Sequence, residues 1–328
     1  MLRFDVLRWP ARFRAWSVAL LVLVGLQACR EQPSPPESET SSTASVATAP
    51  GVPAAASSPT VAPKAPVGST ARPFLYEVSK GEASGHLLGT MHMGGDPDDD
   101  LHPIVWKRFE KSPMVVIEAD LGGANPVVLV ESMQLPVGEK LSGKLEPAAF
   151  QRLKETLGPG PTPMPLERMK PHAAMSLLVQ QMVPKTRPMD LVIQSRAKRA
   201  NKRMGYLESI EEQLELLEEA IDVEALAFSL EHLEEMKERL GQMSRAYLGG
   251  DEKALVTAVF DPEEMEAQPE MFEQLFESRN EAWMKKLPGF FDEGAFVAVG
   301  AGHLLGEDSL VAMLRDAGWN VERVVVDP

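Results

Sequence analysis

The rhythm of apolar and polar positions changes several times along this chain, and each change predicts an element. Residues 74–78 and 86–90 are short apolar runs flanking a polar stretch at 80–85, which predicts a β-hairpin with a several-residue turn. Residues 103–111 fit a helix, and Met-Val-Val-Ile-Glu at 114–118 reads as a buried strand. Helical patterns follow at 146–157, 165–183 and 190–201, then a further strand at 202–207. Ile210, Leu214, Leu217, Ile221, Leu226, Leu230, Leu233, Met236 and Leu240 recur mostly every three or four residues. That spacing predicts one long helix from Ser209, with Ser209 and Glu212 at capping-box spacing and Gly241 as its stop. Helices are expected near 251–260 and 269–286. The chain closes with a strand at 295–300, a helix at 304–317 and a strand at 321–326. The expected fold is α/β: a central mixed sheet whose pseudo-symmetric halves each carry a strand, a Gly-x-x-His and a helix, with a helical insertion between them.

Composition separates this globular part, residues 73–328, from what precedes it. Residues 1–28 carry Arg3, Arg8, Arg12 and Arg14 ahead of an apolar run at 15–26. The run is short of the roughly 20 residues of a spanning helix but suits the core of a signal peptide. It ends in Leu26-Gln27-Ala28-Cys29, which resembles the bacterial lipobox, so Cys29 is the expected lipidation site. Residues 29–72 are rich in Pro, Ala, Ser and Thr and contain no aromatic residue. Such a stretch cannot bury enough apolar surface to fold and reads as a disordered tether. The expectation is an exported lipoprotein of the cell envelope, held to a membrane through Cys29 at the periplasmic side or the outer membrane. Cys29 is the only cysteine, so no disulfide can form within the chain.

Charge narrows the partners. The formal net charge is −15, and removing residues 1–28 takes away four Arg and one Asp and leaves −18. That balance argues against nucleic acid, whose phosphates need clustered Lys and Arg. There is no Gly-rich phosphate loop, His-Glu-x-x-His, Gly-x-Ser-x-Gly or CxxC.

The candidate chemistry lies in two Gly-x-x-His motifs, Gly89-Thr90-Met91-His92 and Gly300-Ala301-Gly302-His303, each directly after an apolar strand. With 24 Gly and 6 His in 328 positions, about 0.4 such matches arise by chance, so a pair after strands carries weight. A strand ending at its Gly can turn sharply where a Cβ would obstruct it. The His is then presented beyond the carboxyl end of the sheet, where ligands of open α/β sheets bind. Glu118 and Glu208 end other predicted strands, and Asp120 would share a face with Glu118 if the strand continued. Strand-end carboxylates usually cap helices or pair with cations. With two His they could instead complete a site for Mn²⁺, Zn²⁺, Co²⁺ or Fe²⁺. Asp190, Arg279 and Asn280 look on spacing alone like ordinary polar residues of helices, and Trp283 like core. His86, His102, His172 and His232 read as structural or exposed, and the acidic run 96–100 as a solvated loop.

Taken in order, these pieces resemble the TraB/GumN family, which is related to the animal Tiki proteases. The resemblance covers residues 73–328. It rests on Leu-Leu-Gly-Thr-Met-His-Met-Gly, Val-Val-Ile-Glu-Ala-Asp, Met189-Asp190, Tyr-Leu-Glu-Ser-Ile-Glu-Glu-Gln-Leu, Arg-Asn-x-x-Trp and Val-Ala-Val-Gly-Ala-Gly-His-Leu-Leu-Gly-Glu. Pro188 stands where the family usually has Gly. The resemblance implies a metal-dependent hydrolase acting on a peptide or protein substrate, with a divalent transition metal (Mn, Co or Zn) held by His92, His303 and Glu118. Glu208, Arg279 and Asn280 would then serve catalysis, with Asp190 in support. The rival reading is a non-catalytic envelope protein that sequesters a peptide or a haem in the same cleft.

Overall fold

The computed structural model describes residues 72–92, 97–160, 162–184 and 187–326. The expected signal peptide, Cys29 and nearly all of the expected tether lie outside the described residues.

One six-stranded mixed sheet organises the molecule. Its strands are β1 (Leu75–Lys80), β2 (Ala83–Thr90), β3 (Met114–Ile117), β4 (Arg203–Tyr206), β5 (Ala295–Gly300) and β6 (Asn320–Arg323), in the spatial order β4-β3-β5-β2-β1-β6. Strands β4, β3, β5 and β2 run parallel, and β1 runs antiparallel to both β2 and β6. All six residues of β5 and all four of β3 are buried, as expected of parallel strands covered on both faces.

Alternation along these strands separates two cores. Val115, Ile117, Phe296 and Ala298 face the larger core, together with Phe109, Leu153, Leu178 and Tyr247 from helices. Met114, Val116, Val297 and Val299 face the other, packed on Trp283, Leu287, Phe291 and Trp319. No helix among the described residues is long and apolar enough to cross a membrane.

Several sequence expectations need correction. The hairpin turn is only Gly81-Glu82, with Gly81 at φ +62°. A left-handed Gly at that point lets the strands continue to the turn. The long helix is three: Ile210–Ala220, Val223–Glu231 and Leu233–Leu248. The capping box at Ser209 and Glu212 is present, but Asp222 opens a second helix by accepting from Ala225 N, and Gly241 lies inside the third. The apolar spacing survives each break because Leu217, Ile221, Leu226, Leu230 and Met236 from the three helices and their junction enter the larger core, while Ile210 and Leu214 join a smaller cluster with Met133 and Met169. Residues 269–286 hold the helices Pro269–Phe272 and Ser278–Met284, joined by a π-helical turn at Glu273–Glu277. After β5 comes a 3₁₀ turn (Ala301–Leu304), then the helix Leu310–Asp316 capped by Ser309.

The two motif strands are direct neighbours. β2 and β5 pair in parallel with Gly89 opposite Val299 and Thr90 opposite Gly300. The two Gly-x-x-His turns therefore leave the same edge of the sheet side by side.

Candidate active site

Because β2 and β5 end together, His92 and His303 are brought to one place, and β3 delivers Glu118 beside them. The Glu118 side chain spans the two turns. Its Oε1 accepts from Gly300 N at 2.6 Å and lies 3.9 Å from His92 Nε2. Its backbone oxygen accepts from Leu207 N and Glu208 N, which locks the exit of β4 onto the exit of β3 and sets Glu208 nearby. His92, Glu118 and His303 are each at most 4% exposed, so their polar atoms must find partners within the fold.

Each imidazole is held from behind. Asp190, in the first turn of the helix Met189–Arg199, places Oδ2 2.6 Å from His92 Nδ1, while its Oδ1 accepts from Thr90 Oγ1 at 3.0 Å. Burial alone lowers the pKa of His92, but the Asp190 carboxylate, reinforced by Glu118, outweighs it and raises the ring above its usual value. Burial likewise works against Asp190's charge, and His92 and Thr90 overcome it and hold the carboxyl below the usual range. An ionised Asp190 accepts only, so Nδ1 carries the proton and Nε2 faces Glu118.

His303 is held differently. Its Nδ1 lies 2.8 Å from Asn280 Oδ1, and Asn280 Nδ2 donates to Asp308 O at 2.9 Å. That chain of donors fixes Nδ1–H and leaves a lone pair on Nε2. Burial first, then the Arg279 charge, pushes the pKa of His303 well below its usual value, so the ring is neutral. Trp283 and Phe276 close on the ring with centroids 4.4 Å and 5.2 Å away.

Arg279 ties these parts together. Nη1 donates to His303 Nε2 at 3.0 Å and to Leu275 O at 3.2 Å. Nη2 donates to Glu118 Oε2 and to Glu208 Oε1, both at 2.7 Å, and Nε donates to Glu208 Oε2 at 2.9 Å. Its guanidinium also lies over Trp283, 4.6 Å from the ring centroid. Two carboxylates share this one cation. Burial, helped by the Glu118 charge and opposed by Arg279, raises the pKa of Glu208 above the ordinary carboxylate range. With 9% of its side chain exposed, Glu208 is the most accessible carboxylate of the cluster.

A model of the TraB/PrgY/gumN family matches residues 74–323, from the first strand to the last. The chain belongs to the TraB/PrgY/gumN family. It is 26% identical over 320 residues to the human protein named Metalloprotease TIKI1, covering 78% of this chain and 63% of the human one. It is 25% identical over 238 residues to the uncharacterized protein YbaP of Escherichia coli K12, covering 70% of this chain and 87% of that one. The chain thus spans under two thirds of the length of the metalloprotease-named relatives. No solved structure matches it.

The metal that the family resemblance implies can be tested against the donors present. Among the described residues no group of three or more His, Cys, Asp or Glu is arranged to hold a metal ion. Two observations nevertheless fit one. Both Nε2 atoms are turned inward by partners on Nδ1, which is how ligating histidines are usually oriented. A Cβ at Gly300 would lie 3.0 Å from His92 Nε2, 3.3 Å from Glu118 Oε1 and 3.7 Å from His303 Cδ2, so the glycine keeps open the space between these three. The Arg279 guanidinium stands among these donors, on His303 Nε2 and Glu118 Oε2.

Other expected residues sit elsewhere. The strand ends at Ile117, and Asp120 turns away to Gln194 and Lys198. Asp98 of the acidic run pairs with Arg187 and Arg196. His102 caps its helix by accepting from Ile104 N, as a structural histidine does. Pro188 does not displace Asp190, because proline preceding the first helical turn is compatible with its fixed φ. Of the motif glycines, Gly300 ends its strand as expected, whereas Gly89 lies one residue inside the end of β2. Gly300 has φ −51°, open to any residue, and Gly89 lies inside β2, where a Cβ would meet Ala301 Cα and Phe74 Cβ at 3.1 Å. Both are required by close approach rather than by a turn.

Sequence reasoning missed three contributors. Gln213 Nε2 donates to Glu118 Oε2 and Glu208 Oε1, both at 3.1 Å. Thr90 holds Asp190, and Tyr247 OH donates to Gly89 O at 2.8 Å. Thr90 lies within the first motif and could have been flagged there; Tyr247 carries no local signal.

Proposed function

We propose that this chain is a divalent-metal-dependent hydrolase acting on peptide bonds, held at the cell envelope by a lipid on Cys29. The observation that carries the reading is the pair of imidazoles fixed through Nδ1, with His92 Nε2 facing Glu118 and the open Gly300 and with His303 Nε2 facing the Arg279 that also holds Glu118. The metalloprotease name of the animal relatives supports the class of reaction.

In this reading His92, His303 and Glu118 hold the metal. When bound, the metal supplies an acidified water and polarisation of the scissile carbonyl. Asp190 and Asn280 keep the rings in the required tautomers. Glu208, with its raised pKa and its partial exposure, takes the proton of the attacking water and passes it to the leaving amine. Arg279 donates to the oxygen on which negative charge develops. The burial of the cluster keeps bulk water away from these charges, which strengthens each interaction.

The test is metal analysis of the full-length chain and of His92→Ala and His303→Ala, followed by a peptide-library cleavage assay with Mn²⁺, Co²⁺ and Zn²⁺. Stoichiometric metal in the wild type, its loss in both variants, and cleavage restored by one of the ions are expected. Unchanged metal content in both variants rules the site assignment out. Intact peptides after prolonged incubation with the metal-loaded chain would favour a sequestering role.

A further inference from the structure

We propose that Arg279 is a built-in counter-cation that a divalent ion must displace from His303, and that the displaced guanidinium then turns to the substrate. The inference rests on the metal reading above and deepens it. His303 has one lone pair facing the site, on Nε2, because Nδ1–H is committed to Asn280. That lone pair accepts from Arg279 Nη1 at 3.0 Å. An imidazole nitrogen cannot serve a guanidinium N–H and a metal ion with the same lone pair. Arg279 also takes Glu118 Oε2 at 2.7 Å, so one side chain engages two of the three proposed ligands. The result is a cluster in which the chain's own cation sits on two of the proposed ligands.

The same geometry provides the way out. Arg279 is anchored independently of the ligands by two hydrogen bonds to Glu208 and by the Trp283 ring. Nη1 has a second acceptor in Leu275 O, within the π-helical turn Glu273–Glu277. Release from His303 therefore needs no departure from Glu208, leaves the Leu275 O bond in place and frees one Nη1–H. Single π turns within helices recur at functional sites. Here the turn offers a carbonyl within reach of the side chain of Arg279, the second residue beyond it. Once released, Nη1 is a free donor beside the metal ligands, suited to a carbonyl oxygen acquiring charge.

The experiment compares the full-length wild type with Arg279→Met and Arg279→Lys. Co²⁺ affinity is read from visible absorption and Zn²⁺ affinity by competition, and the rise in Tm on Zn²⁺ addition is measured for each. Arg279→Met should bind both ions roughly tenfold or more tightly, because a competing positive charge has left the site. Its metal-free Tm should be below the wild type's, since Glu118 and Glu208 lose their cation, and its Zn²⁺-induced rise should be larger. Arg279→Lys keeps the charge but not the fork, and should be intermediate in affinity. Peptide cleavage should fall in both variants despite tighter binding. If Arg279→Met folds only with Zn²⁺ present, the proposal is supported. If it does not fold at all, the affinity of Arg279→Lys decides. Affinities equal to or weaker than the wild type's in the folded variants overturn the proposal while leaving the metal site standing. No binding by the wild type or any variant removes both.

Discussion

The two Gly-x-x-His turns share a motif, a sheet edge and neighbouring parallel strands, yet their histidines live in opposite electrostatic surroundings. His92 is backed by a carboxylate and its pKa is raised; His303 is backed by a neutral amide, faces a guanidinium, and its pKa is lowered. The backbone repeat thus delivers two rings to one point, and the residues behind them make the rings different. A site assembled this way has an anionic side, built from Asp190 and Glu118, and a cationic side, built from Arg279. The difference teaches that the motif positions, while the helices contributing Asp190 and Asn280 specify.

The largest expected effect tests that asymmetry directly. Asp190→Ala removes one partner of a buried charged pair and should cost about 3 kcal/mol of stability, the low end for a broken buried pair because His92 can shed its proton. Asn280→Ala removes a neutral partner from His303 and should cost about 1–2 kcal/mol. Urea unfolding of the two variants measures the contrast. Equal losses would mean that the two sides are electrostatically alike.

A third buried histidine, with no side chain holding its ring, serves as the control. His172, on the helix Pro171–Met182, is 2% exposed and neither ring nitrogen has a well-formed hydrogen bond. Burial pushes its pKa down to about 4, only partly opposed by the Glu218 carboxylate. The sign follows from proton counting. Between the folded value and the ordinary 6.5, the unfolded chain binds the proton and the folded chain does not, so stability is full above about pH 6.5 and falls with pH towards 4. The loss should reach about 3 kcal/mol. In His172→Leu that slope should disappear from unfolding curves recorded between pH 7 and 4. A slope that persists unchanged would place the acid sensitivity elsewhere.

The motif glycines are expected to part company next. Gly89→Ala sets a methyl against the backbone of the neighbouring turn and should destabilise the fold by about 1–3 kcal/mol, the usual range for overpacking. Gly300→Ala sets its methyl between His92 and Glu118, so its main consequence should be loss of Co²⁺ binding with a smaller change in Tm. Parallel Tm and Co²⁺ titrations separate the two. A reversed pattern would exchange the roles assigned to the glycines.

Much of this arrangement was legible in the chain, and the rest was hidden for identifiable reasons. β5 occupies the expected residues because six consecutive buried positions leave no ambiguity of period. The paired histidines and Glu118 were visible because each follows a strand directly. Arg279 as the hub was not visible. Its helix shows only a polar residue near Trp283, and its partners Glu208 and Glu118 lie 71 and 161 residues away. The three-helix break at Ile221 and His232 was hidden because apolar spacing reports which face is buried, not whether the axis continues.

The smallest expected effect concerns how the first turn is held. Tyr247, on the helix Leu233–Leu248, is buried, stacks on Phe74 with centroids 5.5 Å apart, and donates its hydroxyl to Gly89 O at 2.8 Å. Burial raises its pKa, so the group is a neutral donor at any working pH. Tyr247→Phe keeps the ring and the stacking and removes one hydrogen bond, which should cost about 1 kcal/mol. The His92 turn would lose a tie to the helical insertion, whereas the His303 turn is held by Asn280 and by the rings of Trp283 and Phe276. The cost should therefore appear as faster amide exchange at the end of β2 and not at the end of β5. Equal acceleration at both strand ends would show that the two turns move as one unit, with the insertion bracing the pair.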